Sequence, residues 1–170
     1  MKARHVSMVV LLAVIAVFVG TLFYAAAELP DQVASHFGWH GQPDGWMSKQ
    51  AEVILFAIIG LGVPAFIMGL WYAVRFLPNG PINLPHKDYW LAPERRTETT
   101  TYMFRHSVWF ASMMIAFLSW VHLLVVFANQ QPSPRLSGSL LFCGAICFLA
   151  GTGLWGWKLF QHFRVPNATP

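Results

Sequence analysis

The sequence predicts an all-α integral membrane protein: a four-helix bundle with both termini in the cytoplasm and a compact outer loop between helices 1 and 2. Three observations predict this fold class: the chain is apolar, its apolar residues form four long blocks, and its basic residues favour one side of them. Apolar residues make up 56% of the 170 residues and charged residues 11%, against about 45–50% and about 25% in soluble domains. We therefore expect a single membrane domain over residues 1–170 and no soluble enzyme.

The four apolar blocks are predicted to span the membrane at about residues 6–27, 51–77, 107–128 and 137–160. Each is long enough, at about 1.5 Å per helical residue, to cross a hydrocarbon core of about 30 Å. A crossing segment must satisfy its own backbone polar groups, so these spans are predicted helices. Pro64, which follows two glycines in the second block, predicts a kink or a loosened turn.

The basic residues predict the orientation of the bundle. Nine of them precede the first block, lie in or beside the second connection, or flank the exit of the fourth block, and only Lys49 and Arg135 lie on the other side. Under the positive-inside rule both ends and the second connection face the cytoplasm. Ala25, Ala26 and Ala27 resemble a signal-cleavage site, but the apolar core before them is longer than that of a signal peptide, so we expect a retained span. No run of basic residues predicts a nucleic-acid partner, which leaves membrane lipid as the expected environment.

The outer loop, residues 28–50, reads ELPDQVASHFGWHGQPDGWMSKQ and contains many turn-forming residues. Pro43-Asp44-Gly45 is predicted to form a turn that Asp44 and Lys49 fix. Ser48 is predicted to cap the second helix, with Glu52 in its first turn. Because ordered loops on rigid scaffolds often carry function, we predict ligand or peptide binding by eight loop residues: His36, Phe37, Gly41, Pro43, Asp44, Gly45, Ser48 and Lys49.

A metal site in the outer loop is a weaker hypothesis. His36, His40 and Asp44 are spaced four apart and would share a face if this stretch were helical. The glycines and the proline between and beside them argue against a helix. We therefore predict no metal ligand here and no catalytic residue anywhere in the chain.

The outer loop resembles the signature of a widespread bacterial membrane family of unknown function. The signature is leucine-proline, a spacer, histidine-phenylalanine, glycine, proline-aspartate-glycine and serine-lysine, and it is matched by Leu29, Pro30, His36, Phe37, Gly41, Pro43, Asp44, Gly45, Ser48 and Lys49. The same domain is similar to the amino-terminal part of the immunity proteins that protect bacteria from the sporulation-delaying toxin. Those proteins are longer and carry a further membrane region that is not recognised here. The resemblance covers roughly the first two spans and implies a shared architecture.

The second connection, residues 78–106, is predicted to be cytoplasmic. Pro93 suits a first helical position and Glu94 a first turn, so a helix is predicted to begin there and run into the third span. Lys87, Asp88, Tyr89 and Trp90 also resemble a pattern in single-domain members of the same family. With Arg95 and Arg96 they form a candidate site for anionic lipid or a cytoplasmic partner, or a solvated anchor that obeys the positive-inside rule.

Histidines in the spans raise an alternative, because membrane four-helix cytochromes hold haem between facing histidines. His106 and His162 are predicted to lie at similar depth near the cytoplasmic surface. His122 is about 160° from His106 around the helix and is expected nearer the outer surface, bonded to a neighbouring helix. Apart from Glu52 at a margin, the apolar blocks contain no acidic residue, which argues against ion transport. We predict no cofactor.

The sequence therefore predicts a non-enzymatic protein of the bacterial cytoplasmic (inner) membrane, immunity-like or envelope-signalling, that recognises a ligand or peptide partner through its outer loop. Two alternatives stay open. One is an accessory subunit of a larger membrane complex, whose spans supply packing surface. The other is a small haem-binding redox membrane protein.

Overall fold

The computed structural model describes residues 2–164 and consists mainly of helices. The first helix, α1, is Lys2–Glu28. A second span is built from α2 (Lys49–Ala57), a π-helical turn (Ile58–Gly62), α3 (Val63–Ala73) and a short 3-10 turn (Val74–Phe76). A one-turn helix, α4 (Lys87–Trp90), is followed by two further long helices, α5 (Pro93–Asn129) and α6 (Gly138–His162). Within residues 2–164, four helices are long and apolar enough to cross a membrane, and they are His5–Glu28, Lys49–Phe76, Pro93–Asn129 and Gly138–His162. The four predicted spans are confirmed.

A small β-hairpin lies between α1 and α2, where the sequence indicated a compact loop but no strands. Strand β1 (Gln32–Phe37) pairs antiparallel with β2 (Pro43–Ser48). Pro43-Asp44-Gly45 was predicted to form the turn, and this prediction is wrong, because these residues begin β2. The chain reverses over the preceding residues instead, where Gly41 adopts a φ of 72°. Glycine takes this left-handed conformation without steric cost, and residues with a Cβ rarely adopt it.

The second span confirms the predicted irregularity at Pro64. Proline has no N–H to donate to the carbonyl four residues earlier, and the preceding turn widens into the π-helical segment Ile58–Gly62. Gly60 lies in that segment against the ring of Phe18 on α1, which is fully buried. The absence of a side chain at this position lets α1 and the second span approach closely.

Helix α5 (Pro93–Asn129) is the centre of the bundle, with fifteen buried residues. It begins at Pro93, as predicted, and extends about four turns before the predicted third span. Ser112 and Ser119 on this helix donate hydrogen bonds to carbonyls of the preceding turn, Val108 O and Ile115 O, both at 2.8 Å. Small polar side chains satisfied within their own helix allow α5 to pack closely without leaving buried groups unbonded.

Helix α6 (Gly138–His162) packs against α5 and has no buried residue. Two indole groups hold it there: Trp120 Nε1 donates to Leu140 O at 3.1 Å, and Trp155 Nε1 donates to His106 O at 3.0 Å. An added Cβ at Gly144 would lie 2.4 Å from Trp120 Cδ1, so glycine is needed where that indole crosses between the helices. The rest of α6 presents apolar side chains outward, as expected of a helix surrounded by lipid.

The glycines of the second span give a matched pair of substitutions. We expect Gly60→Ala to destabilise the protein by roughly 1–3 kcal/mol, the usual cost of overpacking, because the new methyl group would lie 2.0 Å from Phe18 Cζ. Gly62→Ala should cause no loss, because nothing lies within 4 Å of its added Cβ. Thermal unfolding in detergent measures both, and equal melting temperatures for the two variants would contradict this packing.

Candidate functional site

The hairpin is held to the end of the bundle by Asn129, near the carboxyl end of α5. Its Oδ1 accepts a hydrogen bond from Ala34 N at 2.7 Å, and its Nδ2 donates to Ala34 O at 3.0 Å. Val33 and Ala34 of β1 are fully buried, and Val33 belongs to an apolar cluster with Leu29 and Val126. One amide therefore satisfies both polar groups of a buried β1 residue from within a span.

Two β-bulges explain why the signature contains both a histidine and a proline-aspartate-glycine run. Ser35 is the extra residue on β1 and Asp44 the extra residue on β2, because the pairing runs Ala34↔Trp46, His36↔Gly45 and Phe37↔Pro43. Bulges redirect side chains, and here His36 Nδ1 and Asp44 Oδ1 are joined by a hydrogen bond. An added Cβ at Gly45 would lie 2.9 Å from His36 Cβ. Glycine thus gives the histidine room to reach the aspartate.

Gly41 connects the hairpin to the loop between α5 and α6. Its carbonyl accepts a hydrogen bond from Leu136 N at 2.9 Å. A Cβ at Gly41 would lie 2.2 Å from Leu136 O, so a larger residue would push the two segments apart. Gly41, which matches a glycine of the signature, therefore serves both as a turn residue and as the contact with the loop that precedes α6.

Ser48 and Lys49 join the hairpin to the second span. Ser48 caps α2, as predicted, by accepting a hydrogen bond from Ala51 N at 3.2 Å. Lys49 was predicted to fix the outer loop together with Asp44. Its Nζ lies instead 4.0 Å from an oxygen of Asp31, because the bulge directs Asp44 to His36.

A groove of about 690 Å³ lies between the hairpin and the start of α6. His36, Phe37, Gly41 and Asp44, four of the eight predicted ligand-binding residues, line its hairpin side. Leu141, Phe142 and Ala145 line its helix side, and Trp39 stands fully exposed at the hairpin tip. The groove is within the size range of small-ligand sites and combines an apolar wall with a carboxylate–imidazole pair.

A buried polar cluster beneath the hairpin was missed by the sequence analysis. Glu52 on α2 and His122 on α5 are about 1% and 0% exposed, and Glu52 Oε1 lies 3.2 Å from His122 Nε2. The other ring nitrogen, Nδ1, lies 2.9 Å from Thr21 Oγ1 on α1. Glu52 was expected in the first turn of its helix, and it is there. It is nevertheless buried against a second helix instead of standing at a solvated margin.

The hydroxyl of Thr21 fixes the tautomer of the histidine ring. Thr21 Oγ1 donates its hydrogen to Phe18 O at 2.7 Å, so it accepts from His122 Nδ1–H. The Nε2 side faces the carboxyl of Glu52, but the approach is not aligned as a hydrogen bond, and neither carboxyl oxygen has a hydrogen-bond partner among the described residues. Phe56 stacks on the imidazole with ring centroids 4.4 Å apart. The predicted bond from His122 to a neighbouring helix is confirmed by its contact with Thr21 on α1.

At the other end of the bundle, the candidate residues of the second connection contact their own chain. Lys87–Trp90 form the one-turn helix α4, and Trp90 Nε1 donates to Phe163 O at 3.2 Å. The guanidinium of Arg95 lies 3.9 Å above the ring of Tyr89. Arg96 donates to the carbonyl of Leu77 and to the side chain of Asn79, which closes the end of the second span. Lys87 and Asp88 lie on the exposed side, at a shallow pocket with residues 80–84.

His106 and His162 lie close together, as the haem hypothesis requires, but Tyr102 packs against both. Its ring centroid is 4.4 Å from that of His106 and 3.5 Å from that of His162, where the rings stack. Trp90 also stacks on His162 at 5.3 Å. A haem between these two imidazoles would have to displace the tyrosine ring, so the arrangement favours an aromatic packing cluster.

Comparison with known proteins gives one finding. Residues 11–61 match a domain of unknown function, DUF1648, and no curated protein and no solved structure matches the chain. The matched stretch runs from α1 through the hairpin to the π-helical turn, so it contains Thr21, the hairpin side of the groove and Glu52. The resemblance to a domain of unknown function is confirmed over residues 11–61, which include most of the first span and the first part of the second. The chain is a multi-pass membrane protein that carries this domain.

Asn129→Ala tests how the hairpin is held. The substitution leaves the buried N–H and C=O of Ala34 without partners, at about 1–3 kcal/mol for each unsatisfied group. We expect hydrogen exchange of the β1 amides in detergent to quicken by at least about tenfold, since about 1.4 kcal/mol corresponds to one decade. Gln130→Ala is the neighbouring control, because it removes an exposed hydrogen bond to the Tyr24 hydroxyl. Equal exchange in both variants would exclude Asn129 as the anchor.

Proposed function

We propose that this chain is a non-enzymatic protein of the bacterial inner membrane, immunity-like or envelope-signalling, that recognises a ligand or peptide in the groove between its hairpin and α6. The observation that carries the proposal is the two-sided chemistry of this groove. His36 and Asp44 on the hairpin offer a polar, partly anionic contact, and Leu141 and Phe142 on α6 offer an apolar one. A peptide with an apolar side chain beside a basic or hydrogen-bond-donating group fits both.

The contacts of the hairpin support the view that the groove is already formed before a ligand binds. Asn129 fixes β1, and the Gly41–Leu136 hydrogen bond fixes the turn against the loop that precedes α6. Preorganised sites avoid much of the entropic cost of ordering a loop during binding. Trp39 and Trp46 are exposed beside this surface, and aromatic residues are favoured both at binding hot spots and at membrane interfaces.

The distribution of basic residues supports an outward-facing groove. The positive-inside rule orients the second connection and both ends toward the cytoplasm, and the hairpin lies at the opposite end of the bundle. A ligand from outside the cell would therefore meet the hairpin first. The resemblance of the hairpin signature to that of the toxin-immunity proteins supports a secreted toxic peptide as the first ligand to test.

The test is survival of sensitive bacteria challenged with the sporulation-delaying toxin. Cells that express the chain should survive better than cells with an empty vector, and Asp44→Asn should abolish that protection because it removes the anionic contact. Phe142→Ala should weaken protection by removing the apolar wall. Leu149→Ala is its matched control, because the two side chains are almost equally exposed on α6, at 67% and 65%, and Leu149 lies outside the groove.

Membrane levels of all variants are matched by immunoblot before survival is scored. Equal protection by Phe142→Ala and Leu149→Ala would remove the groove from the proposal. No protection by the correctly inserted parent would exclude this toxin as the ligand. The resemblance to the toxin-immunity proteins would then indicate a shared architecture alone.

One observation favours a second candidate function, the accessory subunit of a larger membrane complex. Helix α6 has no buried residue, although Cys143 and Cys147 on it line an apolar cavity of about 450 Å³ against α5. A partner helix packed there would bury this face. Stoichiometric co-purification of another membrane protein in mild detergent, lost in an Ile146→Arg variant, would support this alternative, and a stable monomer would count against it.

A further inference from the structure

We propose that a pocket at the end of the bundle opposite the hairpin binds the headgroup of an ethanolamine phospholipid, in which a phosphate is followed by a primary ammonium. Arg105 holds the phosphate and Glu98 holds the ammonium. The proposal rests on these two side chains of opposite charge, which lack partners in one shared pocket, and on the depth at which they lie. It goes beyond the proposed function, because it involves neither the hairpin nor the groove.

The headgroup pocket has a volume of about 600 Å³ and lies between α4, the first turns of α5 and the end of α6. One wall is aromatic, because the imidazole of His162 is stacked between the rings of Trp90 and Tyr102. The charged residues that line the pocket all come from α5, and they are Glu94, Arg95, Glu98 and Arg105. The pocket thus offers two positive and two negative side chains beside a stacked aromatic surface.

Two of these four charges are already paired with each other. Arg95 Nη2 lies 3.4 Å from Glu94 Oε1. Within residues 2–164, Arg105 and Glu98 have neither an ion pair nor a hydrogen bond, although the Arg105 guanidinium lies 5.4 Å from the ring centroid of Tyr102. A ligand that carries one negative and one positive group satisfies both side chains, whereas a purely anionic ligand leaves Glu98 facing a like charge.

Glu98 and Arg105 lie on the same side of α5, about two turns apart. At about 100° and about 1.5 Å per residue, their positions differ by about 20° around the helix and by about 10 Å along it. Helical side chains point toward the helix N-terminus, so the long side chain of Arg105 extends toward Glu98. The space that remains between the two charged groups suits a headgroup in which phosphate and ammonium are close neighbours.

The depth of Arg105 favours a lipid over a soluble phosphate ester. Arg105 precedes Asn129, at the hairpin end of α5, by 24 residues, which is about 36 Å of helix against a hydrocarbon core of about 30 Å. Trp90 and Tyr102 beside it are of the residue types enriched at membrane–water interfaces. Glu98 lies farther from the core, just as the ammonium of such a lipid lies on the aqueous side of its phosphate.

The chemistry of the two side chains gives the pocket a preference among headgroups. The guanidinium of Arg105 can donate two parallel hydrogen bonds to phosphate oxygens, which every phospholipid provides. The carboxylate of Glu98 accepts hydrogen bonds from a primary ammonium. A choline headgroup has a quaternary ammonium without N–H donors, and a glycerol headgroup has no cation. Arg105 therefore provides affinity, and Glu98 selects ethanolamine.

Native mass spectrometry of the full chain in detergent measures this preference with three phospholipids that have identical acyl chains and ethanolamine, choline or glycerol headgroups. We expect the apparent dissociation constant of the ethanolamine lipid to be about fivefold lower than the other two, the upper end for an exposed charge pair. Soluble phosphoethanolamine, which lacks acyl chains, should bind more weakly than the lipid.

Two variants separate affinity from selection. Glu98→Gln should abolish the preference and bring the three constants within about twofold of one another. Arg105→Gln should weaken the binding of all three lipids alike. The controls are Lys158→Gln, which removes an exposed positive charge of α6 outside the pocket, and Glu28→Gln, which removes an exposed carboxylate at the hairpin end. Both controls should keep the wild-type constants.

Thermal unfolding of each variant shows that it is folded before lipid binding is measured. If Arg105→Gln does not fold, Glu98→Gln still decides the proposal, because the preference depends on that carboxylate. Equal binding of the three lipids by the wild type, or an unchanged preference in Glu98→Gln, would overturn the proposal. Phosphoethanolamine that binds as tightly as the lipid would assign the pocket to a soluble phosphate ester and overturn its assignment to a lipid.

Discussion

The side-chain amide of Asn129 is the contact on which the outer end of this protein depends. A strand that lies on an apolar helix bundle must find partners for its buried backbone groups. For Ala34, a single side chain from α5 supplies both partners. With β1 fixed in this way, the hairpin can carry the His36–Asp44 pair at the edge of α6 and close the apolar cluster that Val33 forms with α1 and α5.

The geometry of the hairpin also explains why the signature residues occur together. Pro43 begins a strand whose next residue is bulged, Asp44 uses that bulge to meet His36, and Gly45 provides the space that His36 needs. A proline-aspartate-glycine run is commonly a turn, and the local chemistry alone favours that interpretation. The cross-strand histidine changes the outcome, and it lies outside the range over which turn preferences act.

Much of the architecture could be predicted because its causes are local. Hydrocarbon thickness fixes span length, Pro93 starts a helix and Ser48 caps one. The Glu52–His122 pair could not be predicted in this way, because its partners are 70 residues apart and nothing local brings them together. A signal did exist: an acidic residue and a histidine within apolar blocks each need a partner. A charge in the first turn of a helix needs no partner on another helix, and Glu52 also fits that local role.

The hairpin and α6 form the two sides of the groove, so the contacts that hold the hairpin also set the width of the groove. Asn129 on α5 and the hydrogen bond from Leu136 N to Gly41 O supply these contacts. A ligand that touches both sides of the groove would bind best when the hairpin is held in this position, and it would stabilise that position in proportion to its differential affinity. Ligand binding and the Asn129 contact would therefore reinforce each other. A side chain within a span would in this way influence occupancy of the groove outside it.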